Sequence, residues 1–177
     1  MYKLIILIII LSIFTRFSLT TNPHSIIIGD SQTPYIAKQS SKVKMLDKKP
    51  QQSSLWKGGI NLEWLKLAVS KYSLNKDIKN VVINIGTNGR FNLNEDIPGL
   101  IEVIKKKFPN AKLFVVKGSW GWGGNKSVTE QKVNLYYNKF KELGVEVVEP
   151  AIGKVNDPHG DLPIYKVIAH NLDRVIN

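Results

Sequence analysis

The sequence predicts an α/β protein built on a parallel sheet of about five strands with helices on both sides. Strand-like and helix-like segments alternate through most of its 177 residues. The strand segments are short, continuous apolar runs of the kind buried on both faces, rather than half-buried alternating ones. No internal repeat, low-complexity tract or linker divides the chain, and its length is about one domain's worth. A βαβ succession of this kind favours parallel pairing.

The elements follow in order. Ser25–Gly29 is an apolar run stopped by glycine, and reads as the first strand. Residues 42–46 are a poorer strand, suited to an edge. Asn61 is placed to cap a helix whose apolar positions Leu65, Ala68, Val69 and Tyr72 recur at helical spacing. Val81–Gly86 is the second buried strand. Residues 95–107 set Ile97, Leu100, Ile101 and Ile104 on one helical face, with Pro98 in the first turn, where a missing N–H costs little.

Lys112–Lys117 is the next strand. Ser127-Val-Thr-Glu130 has capping-box spacing and opens a helix with Val133, Tyr136, Tyr137 and Phe140 inward, ended by Gly144. Val145–Val148 makes the last strand. The final helix turns Ile164, Val167, Ile168, Leu172 and Val175 toward the core.

The first twenty residues stand apart. Leu4–Phe14 is an uncharged run of eleven between Lys3 and Arg16. As a helix it would rise about 16 Å, against roughly 30 Å of bilayer hydrocarbon. It therefore reads as a signal-peptide core, with an uncleaved anchor or a buried strand as alternatives. Either of the first two places the rest of the chain outside the cytoplasm, secreted or anchored, touching a membrane only through this segment.

Composition narrows the function classes. Hydrophobic residues at 43% and charged residues at 22% fit a globular protein and argue against disorder. The absence of cysteine removes thiol catalysis, iron–sulfur clusters and cysteine zinc sites. Three histidines (His24, His159, His170) make a multi-histidine metal site improbable, and no metal or other cofactor is expected. Without residues 1–20, which carry Lys3, Arg16 and no acid, the net charge falls from +11 to +9. Such basicity suits anionic partners such as acidic glycans or cell-wall polymers. The lysines are scattered and no basic stripe interleaved with aromatics appears, so dedicated nucleic-acid binding is not expected.

In open parallel sheets, ligands bind beyond the carboxyl ends of the strands. Ser31 lies two residues past the first strand, after Gly29 and Asp30, where a hydroxyl can stand at the sheet edge. Gly58-Gly59 precedes the helix opened by Asn61, leaving a backbone N–H unobstructed. Asn88 follows the central strand and brings a carboxamide donor to the same edge. His159 precedes the last helix, from which a base could reach back to Ser31.

These pieces, in this order, resemble the SGNH (GDSL-type) hydrolases over about residues 25–177. Gly29-Asp30-Ser31 matches the first block of that family. Gly59, with Gly58 as a near alternative, matches the helix-start glycine. Asn88 matches the third block, and His159 the last, with Tyr165 where the family often has an aromatic residue. The resemblance implies a flavodoxin-like three-layer α/β/α sandwich for residues 21–177 and a serine hydrolase acting on esters. It casts Ser31 as nucleophile, His159 as general base, and the Ser31 and Gly59 N–H groups with the Asn88 side chain as the oxyanion hole.

Two departures matter. The third block ends in Gly89 rather than aspartate, and the position three before His159, where the family has its aspartate, is Asn156. Either Asp157, one place later, orients the imidazole, or a Ser–His dyad works with a backbone carbonyl; Asp161 is a weaker substitute. Asparagine cannot stabilise an imidazolium as a carboxylate does, so Asn156 as orienter implies a slow enzyme or a glycan-binding module with a degenerate site.

Trp120 and Trp122, spaced by glycines after the fourth strand, are free to lie flat against a sugar, which favours an acylated carbohydrate; the competing reading has them covering the core edge. Trp56 and Trp64 are expected to pack. The expectation is an exported esterase removing O-acetyl or other acyl groups from a carbohydrate or cell-wall glycan, with a lipid esterase as the alternative enzyme.

Overall fold

The fold was described from a computed structural model, which describes residues 24–46, 54–86, 88, 92–122, 128–149, 153–155, 157, 159 and 162–177. The leader (1–20), Ser127, Gly89, Asn156 and Asp161 lie outside them. Among the described residues, four strands, β1 (Ser25–Gly29), β2 (Asn80–Asn84), β3 (Lys112–Val116) and β4 (Glu146–Val148), form one sheet in the order β1-β2-β3-β4. Every pairing is parallel, with Ser25 opposite Asn80 and Gly29 opposite Asn84. The helices are α1 (Thr33–Gln39), α2 (Leu62–Ser70), α3 (Asp96–Lys107), α4 (Glu130–Glu142) and α5 (Leu162–Val175).

The strand side chains alternate between two cores, as a period of two requires. Ile26, Ile28, Val81, Ile83, Leu113 and Val115 pack against α2, α3 and α4. Ile27, Val82, Phe114 and Val116 pack against α1 and α5. Burial on both faces explains why these strands read as unbroken apolar runs, and it yields the expected three layers.

The expected fifth strand is reduced. Residues 42–46 approach the free edge of β1 with one parallel bridge, Lys44 opposite Ile26. The Lys44 N–H donates to Ser25, and the Lys44 carbonyl accepts from Ile27. Only Val43 is fully buried there, so little packing drives a longer ladder.

Helix boundaries follow local chemistry. The Asn61 side chain caps α2 by accepting the Trp64 N–H at 3.0 Å. The hydroxyl that caps α4 is that of Thr129, which accepts the Lys132 N–H, so the helix opens two residues later than a cap at Ser127 requires. Gly144 (φ +77°) follows α4 as expected. On α5, Ile164, Ile168 and Leu172 are buried, but Val167 is 44% exposed, and Tyr165 and Ala169 take the remaining core positions. Among the described residues, no helix is long and apolar enough to cross a membrane.

The helices that follow Ser31 and His159, α1 and α5, pack against each other and are tied at both ends. Tyr35 stacks on Tyr165 at 5.1 Å. At the other end the Asp173 carboxylate accepts from the Ser40 hydroxyl, the Ser41 N–H and hydroxyl, and the Lys42 N–H. Burial raises the Asp173 pKa, but these donors outweigh it and hold the carboxyl below its ordinary 3.8. A carboxyl depressed in the folded state stabilises the fold above its unfolded pKa and loses that contribution as pH falls through the folded value. We therefore expect Asp173→Asn to lower Tm at pH 7, and the gap to wild type to close below about pH 4; thermal melts across that range check it.

Candidate active site

The carboxyl ends of β1 and β2 are brought together by a glycine. Gly29 (φ +145°) ends β1 so close to β2 that a Cβ there would lie 1.7 Å from the Asn84 carbonyl oxygen. Only a residue without a side chain fits. The chain then turns, the Asp30 N–H donating to that same carbonyl at 2.8 Å, and Ser31 follows half-buried at the sheet edge.

The structure brings Ser31 and His159 together across 128 residues, with Oγ 2.6 Å from Nε2. The other ring nitrogen of His159, Nδ1, lies 3.2 Å from Asp157 Oδ1, and the same oxygen accepts the His159 backbone N–H at 2.8 Å. An ionised carboxylate can only accept, so the Nδ1 proton points at Asp157 and Nε2 is left to accept from the Ser31 hydroxyl. The His159 backbone N–H, and then its ring, hold the Asp157 carboxyl below its ordinary 3.8. The pair is open to water, with side-chain exposures of 47% for His159 and 67% for Asp157.

The segment before α2 closes over the other side of Ser31. Leu55 and Lys57 exchange backbone hydrogen bonds with Gly29, which carries the chain to Gly58, whose Cβ position would be 3.8 Å from the Ser31 Cβ. Gly59 is exposed, with φ +68° and, among the described residues, no atom within 4 Å of a Cβ there; its left-handed backbone favours glycine. Of the two glycines, Gly58 is the one whose Cβ position faces Ser31. Asn88 is half-buried on the loop after β2. The buried Tyr137 hydroxyl donates to the Ile85 carbonyl at 3.0 Å and supports the root of that loop.

The two glycine-flanked tryptophans do not stand free. Trp120 is half-buried and lies across Gly153, where a Cβ would meet its ring at 2.1 Å. The Trp122 indole N–H donates to the Ser119 carbonyl, and both rings pack on the larger core. Trp64 packs on the same core, as expected. Trp56, expected to pack, is instead 36% exposed on the segment bonded to Gly29.

Asp30, matched in the first block but given no role of its own by the sequence, is 3% exposed. It accepts from the Gln32 N–H (3.1 Å) and the Asn84 amide (3.3 Å) on Oδ1, and from the Gly86 N–H (2.8 Å) on Oδ2. Burial raises its carboxyl above the ordinary 3.8, against the pull of those two N–H groups and of the His159 charge. Asp30 borders a cavity of about 20 Å³ together with Asn84, Gly86, Ser119 and Trp122, room for one water-sized group. Among the described residues, no group of three or more His, Asp or Glu could hold a metal ion.

No protein-family model matches the chain, and no curated protein does. Solved structures do. A member of the lipolytic G-D-S-L family from Veillonella parvula superposes with a TM-score of 0.55 at 12% identity, over 86% of this chain and 97% of its own. The C-terminal catalytic domain of Streptococcus pneumoniae peptidoglycan O-acetyltransferase A, solved with a methylsulfonyl adduct, gives 0.58 at 14% identity, over 85% and 90%. The OSK domain of Drosophila Oskar gives 0.53 at 14% identity, over 83% and 87%. The chain has the three-layer fold of the SGNH (GDSL-type) hydrolases. At these identities the likeness is one of fold.

Proposed function

We propose, from the SGNH-hydrolase fold and the Ser31–His159 contact, that this protein is a serine esterase that removes acyl groups, foremost O-acetyl groups, from a carbohydrate or cell-wall glycan outside the cytoplasm. The 2.6 Å approach of Ser31 Oγ to His159 Nε2 carries the reading. His159 takes the hydroxyl proton as Oγ adds to the acyl carbonyl carbon. The developing oxyanion is received by the Ser31 N–H, the N–H of Gly59 or its neighbour Gly58, and the Asn88 carboxamide, donors that are worth most where charge appears only in the transition state. Collapse breaks the bond to the alcohol oxygen, which leaves with the proton held by His159, and the acyl group stays on Oγ. Water then attacks the acyl-enzyme with His159 again as base, releasing the acid and restoring the Ser31 hydroxyl. Asp157 holds the ring and offsets the positive charge it gains.

The substrate class rests on three supports. The rim formed by Gly58, Gly59, Asp157 and His159 is exposed, so a polymer can present a side-chain ester without being engulfed. The basic surface suits an anionic glycan, and one fold neighbour is the catalytic domain of a peptidoglycan O-acetyltransferase. Trp56, 36% exposed beside Gly29, offers a further aromatic surface, and Trp120 and Trp122, packed on the core, stay half-buried.

A fluorophosphonate probe tests the reaction class. Folded protein should be labelled at Ser31, and unlabelled folded protein would replace the esterase by a glycan-binding module. Acetylated glycans set against p-nitrophenyl esters of increasing chain length test the substrate, and faster turnover of long acyl chains would favour the lipid esterase.

A further inference from the structure

Asp30 is the one charged side chain fully buried among the described residues, and no cation lies within salt-bridge distance of it there. A buried carboxylate without a cation costs stability. Residues that cost stability and sit beside reactive groups are candidates for a working role. The hydrogen bonds show what that role is. The bond from the Gln32 N–H to Oδ1 spans Ser31 and fixes the turn that presents it. The bond from the Gly86 N–H to Oδ2 pins the start of the loop that leads to Asn88. The Asn84 amide, itself bonded to Thr33, steadies the carboxylate between them.

We propose that Asp30 is a positioning residue: one buried carboxylate ties the turn carrying Ser31 to the loop carrying Asn88, and so sets the distance between nucleophile and oxyanion donor. An asparagine in its place has one acceptor oxygen and an NH2 group, so either the Gln32 or the Gly86 N–H would face a donor. The charge matters here because it lets both oxygens accept. The groups that sense it are His159, Tyr136 and Tyr137. Desolvation is the dominant influence on the Asp30 carboxyl and disfavours its ionised form; a folded pKa above the unfolded one stabilises the fold at low pH and loses that contribution as pH rises. Removing the charge relieves that desolvation and so offsets part of the cost of the N–H left facing a donor.

The inference rests on Ser31 being the nucleophile, and the experiment separates the two. Wild-type protein, Asp30→Asn, Gly86→Ala, Asn88→Ala and the Asp30→Asn/Asn88→Ala double variant are compared by fluorophosphonate labelling, p-nitrophenyl acetate kinetics and thermal melts at pH 7. Asp30→Asn should lower kcat by about a hundredfold, the cost of a small misplacement of reacting groups, with KM unchanged and Tm not reduced in step. In the double variant the two losses should not multiply, because they act on one loop. Gly86→Ala keeps the charge but sets a methyl group 3.2 Å from Asp30 Oδ2; it too should lower kcat at constant KM, and it decides the matter if Asp30→Asn does not fold. Unlabelled wild-type protein ends the reading of Ser31 and this inference with it. Labelled wild-type protein with unimpaired kcat in Asp30→Asn, or in Gly86→Ala where the first variant does not fold, overturns the inference alone, as do fully multiplicative losses.

Discussion

Ser31→Ala and His159→Ala should each reduce kcat for p-nitrophenyl acetate by about 10⁴-fold or more, and the double variant should fall little further. Ser31 Oγ and His159 Nε2 are 2.6 Å apart, so in the proposed mechanism they form one proton-transfer unit, and the loss of either leaves the other without its partner. The residual rate reports what the oxyanion donors and binding contribute alone. Neither side chain carries core packing: Ser31 is half-buried and His159 exposed. Far-UV circular dichroism and Tm should therefore stay near wild type while the activity disappears. A His159→Ala protein that kept even a tenth of its activity would remove the general base from the mechanism.

The first three strands were legible because burial on both faces leaves a signature that needs no partner to interpret: Ile26–Ile28, Val81–Ile83 and Leu113–Val116 are all buried. Residues 42–46 carry a weaker pattern for the same reason, since they meet the sheet on one edge only. The cap of α4 was ambiguous because two hydroxyls stand two residues apart before the helix, and spacing alone cannot decide which one meets an N–H. Val167 sits at the border of the apolar arc of α5, where a small rotation of the helix turns a core position outward.

At the site, the meeting of Ser31 and His159 was readable from the order of four short blocks on the right elements. The burial of Asp30 was not, because acids are ordinarily exposed and nothing local in Gly-Asp-Ser marks this one as covered by the Gly86 loop. The tryptophans show the converse: a ring between glycines looks free in sequence, yet for Trp120 the glycine at 153 supplies the space into which the ring folds.

Asp157→Ala separates a triad from a dyad. A buried triad carboxylate that fixes the histidine tautomer is worth about 10⁴ in kcat. Asp157 has the same partner but a 3.2 Å bond and a side chain 67% exposed, so water screens its charge and its share is smaller. What it keeps is orientation: Oδ1 meets both the backbone N–H and Nδ1 of His159, which locks the ring to its own turn and leaves Nε2 facing Ser31. We expect a loss of about 10³-fold, an order of magnitude below the buried case. Asp157→Asn should recover little of it, because an amide can present its NH2 to Nδ1 and favour the wrong tautomer. Raising ionic strength should lower the wild-type rate only slightly if orientation dominates, and markedly if the exposed charge does. Asn156→Ala supplies the comparison. A loss there that exceeds the loss in Asp157→Ala would move the orienting role one residue upstream, and negligible losses in both would leave Ser31 and His159 working as a dyad.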